Sequence, residues 1–191
     1  MELVSSSSLR PPRGLELLGA FWGMLGVTLL LGNAVSRLLP LALEPLLDGS
    51  LSQLQLALYV GWSLFNAYAE GYRGFQLRFS PRVVSRALYL GRNPRPLWIL
   101  LAIPFCMSLF HAKRRQLIIS WALVVAIATL VILVAYVPQP WRGIIDSGVV
   151  VGLAWGLISL WISFLGALFG REPPPTDLPE LPDLPELPEP R

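Results

Sequence analysis

The chain has 191 residues, of which 54% are hydrophobic and 14% are charged, and its formal net charge at pH 7 is +3. Soluble domains are typically less apolar and carry about 25% charged residues, so the composition excludes an ordinary soluble domain and predicts a membrane protein. One cysteine, Cys106, and one histidine, His111, exclude a disulfide framework and a metal site built from these residue types. We expect no cofactor.

Charge is distributed unevenly along the chain. Residues 1–171 hold fourteen basic and six acidic side chains, whereas residues 172–191 hold one basic and six acidic side chains. The sequence therefore describes a basic body followed by an acidic tail.

Four apolar stretches are long enough to cross a bilayer, whose hydrocarbon core of about 30 Å requires about 20 helical residues. After a polar, basic stretch at 1–14, the first predicted span is longer than the apolar region of a signal peptide, about 7–15 residues, so we interpret it as a retained span. The four predicted spans are about 15–39, 51–69, 116–137 and 149–170.

A fifth apolar stretch, LWILLAIPFCMSLF at 97–110, is short and carries Pro104 in its middle. Its length is typical of a re-entrant or interfacial segment, although a short tilted span would give five crossings instead of four. With four crossings, thirteen of the fifteen basic residues share one side of the membrane, and only Arg37 and Arg142 lie opposite. The positive-inside rule favours that arrangement. The sequence therefore predicts an all-α integral membrane protein with four transmembrane helices, one short re-entrant or interfacial segment and both termini in the cytoplasm.

Arginines are concentrated between the second span and the short apolar segment. Residues 81–90 are predicted to form an amphipathic interfacial helix, capped by Ser80, with Pro81 in its first turn and Gly91 at its end. Basic residues next to a span attract anionic lipid head groups. The candidates for binding lipid or an acidic partner are Arg73, Arg78, Arg82, Arg86, Arg92, Arg95, Lys113, Arg114 and Arg115.

Glu70 stands at the end of the second predicted span, with Arg73 three residues later. An acid near the membrane interior is unfavourable unless it is paired, so we predict a buried ion pair of Glu70 with Arg73, or with an arginine of the next helix. The alternative is a transport path, whose lining residues would be Asn33, Asn66, Tyr68, Glu70 and His111. These polar residues do not fall on one helix face at a helical period, which disfavours the path.

Three motifs place glycines four residues apart: GAFWG at 19–23, GLAWG at 152–156 and GALFG at 166–170. This spacing lets helix backbones approach each other closely. It predicts packing within the chain's own bundle or, as the alternative, dimerisation through a helix.

The sequence contains no GxSxG elbow, no Walker phosphate loop, no dinucleotide glycine pattern and no HExxH zinc motif. The stretch RGFQLRF at 73–79 departs from the RNA-recognition signature, because Gln76 stands where a small residue is required. We therefore expect neither an enzyme nor a nucleic-acid-binding protein.

From Asp177 the tail reads DLPELPDLPELPEPR, with proline at every third position. This pattern prevents a helix and favours polyproline II. Two interpretations stay open. The tail is either a docking arm, with an acidic and an apolar edge, that folds back on the arginines, or a solvated, disordered segment.

Two blocks, EGYRGFQLRFSPRVVSRAL at 70–88 and FCMSLFHAKRRQLIISW at 105–121, resemble segments of an uncharacterised multi-pass membrane protein family of cyanobacteria and plastids. The resemblance covers about half of the chain and implies no activity. It implies a thylakoid or plasma membrane setting.

Together these patterns predict a non-enzymatic scaffold or assembly factor of a bacterial inner membrane, which binds anionic lipid and an acidic protein through its arginines. The sequence leaves self-association of the chain open. The alternative function is that of a small oligomeric transporter or channel with Glu70 in the path.

Overall fold

The computed structural model describes residues 14–170, and the polar start of the chain and the predicted acidic tail lie outside the described residues. Every regular element within 14–170 is a helix, which confirms the all-α class. The elements are α1 (Gly14–Leu47), α2 (Gln53–Asn66), a π-helix (Ala67–Phe79), α3 (Ser80–Arg92), α4 (Pro96–Leu100), α5 (Ala102–Cys106), α6 (Arg114–Ala135) and α7 (Trp141–Leu168).

Three helices of the described part, α1, α6 and α7, are long and apolar enough to cross a membrane. The shortest, α6, has 22 residues and is about 33 Å long, which matches a hydrocarbon core of about 30 Å. These helices are those of a membrane protein. The predicted span at 51–69 is not among the three, because its α-helical part ends at Asn66 and a more polar π-helix follows.

Residues 53–92 form one continuous helical rod, in which α2, the π-helix and α3 follow one another without a break. The rod runs in the same direction as α7. Trp62 donates to the carbonyl oxygen of Ile145 at 3.2 Å, and further along both helices the hydroxyl groups of Ser80 and Ser159 lie 2.9 Å apart. Ser80 therefore links two helices and does not cap a new one.

Helix α1 runs antiparallel to α7 and to the rod. We call the end of the bundle where α1 begins and α3 and α7 end the proximal end, and the other the distal end. At the proximal end, the rings of Phe21 and Trp161 lie 6.0 Å apart. At the distal end, a Cβ atom built on Gly143 would lie 2.5 Å from Cγ of Pro45.

Gln139 joins α1 to α7 at the distal end. Pro45 has no N–H group, so the carbonyl oxygen of Leu41 loses its intrahelical partner. The side-chain amide of Gln139 donates to that oxygen at 3.1 Å, and its Oε1 atom accepts from the backbone N–H of Gly143 at 2.9 Å. One side chain thereby satisfies a backbone group on each helix.

Glycines at intervals of four residues let α7 approach the rod. A Cβ atom built on Gly148 would lie 2.5 Å from Nδ2 of Asn66, and one built on Gly156 would lie 2.5 Å from Cδ1 of Phe75. The GLAWG motif therefore contributes to packing within the chain.

The apolar core lies in the proximal half, where α1, α3, α5 and α7 meet. Its members are buried side chains such as Met24, Val83, Leu90, Phe105 and Leu160. Helix α3 is an internal element, which corrects the expectation of an interfacial helix at 81–90. It also extends past Gly91, which serves a close approach to α1 instead of ending the helix.

The short apolar segment at 97–110 does not form one helix; α4 and α5 have five residues each. Both helices pack near the amino half of α1. Trp22 donates to the carbonyl oxygen of Ile99 at 3.0 Å, and a Cβ atom built on Gly26 would lie 2.6 Å from Ile103. The segment therefore contacts α1 well short of the distal end.

Candidate functional site

Arg86 is the most enclosed charged residue of the described chain, with 0% of its surface exposed. Its Nε atom donates to the carbonyl oxygen of Phe105 at 2.6 Å. Its Nη2 atom donates to the carbonyl oxygens of Phe110 at 3.0 Å and His111 at 3.1 Å. Hydrogen bonds from a charged donor contribute about 1.5–3 kcal/mol each, so Arg86 fixes the loop after α5 to α3.

The loop that surrounds Arg86 adopts backbone conformations that non-glycine residues rarely adopt. Ser108 has φ of 58° and His111 has φ of 50°. A left-handed residue of this kind costs about 1–3 kcal/mol and persists only where surrounding contacts impose it. Arg86 binds carbonyl oxygens on both sides of Ser108, those of Phe105, Phe110 and His111, so its hydrogen bonds are among the contacts that hold this loop.

Aromatic rings extend this arrangement to the proximal surface. The Trp98 ring lies 5.1 Å from Phe105 and 4.9 Å from His111. The guanidinium carbon of Arg95 lies 4.4 Å from the centre of the Trp98 ring, a cation–π contact. The end of the rod and the start of α6 are thus held side by side.

Five of the nine predicted basic residues are exposed around this contact, and we call them the basic surface: Arg92, Arg95, Lys113, Arg114 and Arg115. Arg73 and Arg78 are exposed as well, but they lie on the π-helix, away from the basic surface, and Arg82 is half-buried. Arg86 is not available to lipid or to a partner, which corrects its assignment to that set.

His111 lies in the loop between α5 and α6, outside the long apolar helices. Partial burial lowers the pKa of His111, and the positive charges of Arg86 and Arg95 lower it further. The imidazole is therefore neutral near pH 7. Its neighbours would oppose protonation, so the site disfavours a second positive charge beside Arg86.

The structure does not bring Glu70 and Arg73 together: within residues 14–170 neither side chain makes an ion pair. The reason is the π-helix, whose turn is wider than that of an α-helix. Residues three positions apart therefore no longer lie on the same face. The side chain of Glu70 lies against α7, where a Cβ atom built on Gly152 would be 2.9 Å from its Oε2 atom. Arg73 is exposed. This corrects the expected pair.

The residues of the predicted transport path are only partly assembled. Asn66 is buried and donates to the carbonyl oxygen of Trp62 at 2.9 Å, one turn before Glu70. Asn33 is exposed on α1, Tyr68 stacks on Tyr72, and His111 lies beside Arg86.

A polar pair that the sequence reasoning missed extends the line of Asn66 and Glu70 towards the distal end. Ser63 donates to the hydroxyl oxygen of Ser147 at 3.0 Å. The helical spacing of Ser63, Asn66 and Glu70 was the available signal.

A second charged group lies near the start of α7. Nε of Arg142 and Oδ2 of Asp146 are 3.5 Å apart, and this is an ion pair of residues one turn apart.

No group of three or more His, Cys, Asp or Glu side chains within residues 14–170 is arranged to hold a metal ion.

No protein-family model, curated protein or solved structure matches this chain.

Proposed function

We propose that this protein is a non-enzymatic membrane scaffold or assembly factor, whose basic surface binds anionic lipid head groups and an acidic partner protein. One observation carries the proposal. Arg86 ties α3 to the loop before α6, and this contact holds the two halves of the basic surface together.

The basic surface is suited to this role by its charge and its chemistry. Each cation near an anionic membrane contributes roughly 1 kcal/mol of attraction. Four of the five side chains are arginines, whose planar guanidinium groups match phosphate and carboxylate in a bidentate geometry. An acidic protein and a lipid phosphate are therefore both suitable ligands.

The topology that goes with this function has four crossings, with the proximal end in the cytoplasm of a bacterium. The fourth crossing is the rod, which runs antiparallel to α1 and parallel to α7. Two features support it: α4 and α5 are too short to cross, and the basic surface lies at the proximal end. The membrane is the inner membrane, or a thylakoid membrane in a cyanobacterium.

Cysteine labelling in oriented vesicles tests the topology. In a Cys106→Ala background, Asn93→Cys and Arg115→Cys should both label from the cytoplasmic side, and Asp48→Cys should label from the opposite side. Labelling of Asn93→Cys and Arg115→Cys from opposite sides would show that 97–110 crosses and would overturn the four-crossing topology.

Native mass spectrometry of the purified protein tests the lipid part of the function. The triple variant Arg95→Gln, Arg114→Gln and Arg115→Gln should retain less phosphatidylglycerol than the unmodified chain, with phosphatidylcholine binding unchanged. The single variant Arg114→Gln should also retain less phosphatidylglycerol. Its control is Arg37→Gln, which removes one arginine at an exposed position on α1, outside the basic surface. Equal retention in all variants would contradict lipid binding by the basic surface.

A salt series tests the partner. After crosslinking in membranes, an acidic protein should be recovered with the unmodified chain at low ionic strength, less at high ionic strength, and not with the triple variant. Recovery of the same protein by the triple variant would exclude the basic surface as its docking site.

A small oligomeric transporter or channel is the second candidate, and the line of Ser63, Asn66 and Glu70 along α7 is the observation that favours it. Glu70→Gln should then abolish ion flux in proteoliposomes while the melting temperature stays close to that of the unmodified chain. If the unmodified chain gives no ion flux in proteoliposomes, that result argues against this candidate.

A further inference from the structure

Helix α6 carries an open apolar groove along its first half. Within residues 14–170, only Ser120 and Val134 of the 22 residues of α6 are buried. The groove has a volume of about 660 Å³, and six apolar side chains line it: Leu117, Ile118, Trp121, Ala122, Val125 and Ala126. It therefore opens towards the surroundings of the bundle and not towards the core.

The groove is formed by two rows of unequal side chains. Residues four positions apart lie above one another on a helix, so Leu117, Trp121 and Val125 form a tall row beside a lower row of Ile118, Ala122 and Ala126.

The wall of the groove at Trp121 is fixed in place. The indole N–H of Trp121 donates to the carbonyl oxygen of Leu109 at 2.9 Å, in the loop that Arg86 holds to α3. A wall that is fixed before binding spares a ligand the entropic cost of ordering it.

Each row of the groove begins with a cation, one turn nearer the proximal end. Lys113 precedes Leu117 by four positions, and Arg114 precedes Ile118 by four positions. Both cations are exposed members of the basic surface. Side chains on a helix tilt towards its amino end, so Arg114 extends from the mouth of the groove towards the lipid head groups. The combination is complementary to a ligand with an anionic head and an apolar chain.

The groove is as long as one leaflet is deep. Leu117 and Ala126 are nine positions apart, which is about 13.5 Å along the helix, and half of a hydrocarbon core of about 30 Å is about 15 Å. Because α6 begins at the proximal end, the groove faces the proximal leaflet. An acyl chain whose head group lies at Arg114 has the right depth to follow it.

A second copy of the chain fits the groove less well than a lipid. In a twofold dimer with its axis along the membrane normal, two α6 helices that meet at this face are parallel. Arg114 and Lys113 would then face the same cations of the second copy at the same depth, and like charges across an interface are unfavourable.

We propose that the groove binds one acyl chain of an anionic phospholipid of the proximal leaflet, with the lipid phosphate on the guanidinium group of Arg114. This inference rests on the lipid binding proposed above, and it adds a defined site for the chain of the lipid. Arginine suits the phosphate because its planar fork of donors matches the phosphate oxygens.

Native mass spectrometry of the full chain, with one head group and two chain lengths, tests the proposal. Ala126→Leu fills the groove, so it should weaken the binding of dipalmitoylphosphatidylglycerol about fivefold, as expected for lost packing contacts in a membrane. It should not change the binding of dihexanoylphosphatidylglycerol, because a hexanoyl chain held at Arg114 cannot reach Ala126, about 18 Å away along the helix. Arg114→Gln should weaken the binding of both lipids.

Ala135→Leu is the matched control, because it makes the same change at an exposed position at the distal end of α6. It should leave the binding of both lipids unchanged. Ala126 is exposed, so Ala126→Leu should fold normally, and its melting temperature checks that.

The outcomes separate the groove from the basic surface. If Arg114→Gln weakens the binding of both lipids and Ala126→Leu of neither, head groups bind but the groove is not the site. If Arg114→Gln changes neither, head-group binding at Arg114 fails, and the groove site fails with it. A lipid-free dimer that Ala126→Leu dissociates would show that a second copy covers the groove, and would overturn the proposal.

A photoactivatable acyl chain distinguishes a bound lipid from the surrounding bilayer. Phosphatidylglycerol with a diazirine in one chain should crosslink to residues 117–126 more strongly than phosphatidylcholine with the same chain. Arg114→Gln should remove the difference. Equal crosslinking of the two lipids to the unmodified chain would show that the groove does not select an anionic lipid, and would overturn the proposal.

Discussion

The Nη2 atom of Arg86 donates to the backbone carbonyl oxygen of His111 at 3.1 Å, across 25 positions of sequence. The bond joins an interior helix to the loop that reverses the chain before α6. The stability of this loop and its response to pH both depend on this relationship.

Substitution of Arg86 should destabilise the protein more than substitution of any exposed arginine. Arg86→Gln cannot reach three carbonyl oxygens, and leaving buried acceptors unpaired costs about 1–3 kcal/mol each, so we expect a loss of about 3 kcal/mol. Thermal unfolding in detergent measures the change. Arg86→Lys should recover little, because an ammonium group lacks the fork of donors.

Arg114→Gln is the control for Arg86, because Arg114 is exposed, and its melting temperature should match that of the unmodified chain. Equal melting temperatures for the Arg86 and Arg114 variants would mean that the carbonyl contacts contribute no stability.

Acidification should destabilise the fold through His111. Its pKa is lowered in the folded protein, first by partial burial and then by Arg86 and Arg95, so below the ordinary histidine pKa of about 6.5 the unfolded chain binds the proton more readily. This contribution to stability is therefore complete above pH 6.5 and decreases as the pH falls towards the lowered pKa. Melting temperatures between pH 8 and pH 5 measure it.

His111→Asn is the matched variant, because asparagine tolerates the positive φ at this position. The variant should be less stable overall, since it loses the ring contact with Trp98, but its melting temperature should depend less on pH. An unchanged pH dependence would assign the effect to other groups.

Gly91→Ala should weaken the contact between α1 and α3. An added Cβ atom would meet the carbonyl oxygen of Glu16 and lie 3.0 Å from the backbone nitrogen of Ala20. Backbone atoms cannot rotate away, so we expect a loss of about 2–3 kcal/mol. Gly61→Ala, in α2 with nothing within 4 Å, is the control and should be neutral or slightly stabilising. If Gly91→Ala left the stability unchanged, α1 and α3 would have to lie further apart than in this structure.

The hydroxyl groups of Ser80 and Ser159 should show coupling in a double-mutant cycle. Both side chains are buried, so either single change to alanine leaves its partner short of a hydrogen bond and should cost about 1–2 kcal/mol. The double variant should be more stable than the sum of the two single losses predicts. Additive losses would indicate that the two hydroxyls do not interact.

Composition and hydropathy were sufficient to predict the membrane class and the helical architecture of residues 14–170. The stretches 116–137 and 149–170 contain no charged residue, and the corresponding helices, α6 and α7, lie close to them. Helix α7 nevertheless begins at Trp141, because the polar residues of its first turns are buried against α1 and α2.

The burial of Arg86 could not be predicted from the residue pattern of its own helix. An arginine on a helix with apolar neighbours is typical of an interfacial face, and the three oxygens that enclose it belong to residues 19 to 25 positions away. Hydropathy depends on the residue itself, whereas burial depends on which distant backbone groups reach it.

The sequence by itself determined which stretches are apolar, which residues carry charge and that helices would form, because these follow from side-chain chemistry and local spacing. The tertiary structure alone decided which charges are enclosed and which are exposed. It placed Arg86 inside and left Arg73 outside, since the approach of α7 at its glycines and the return of the chain after α5 depend on contacts between distant segments.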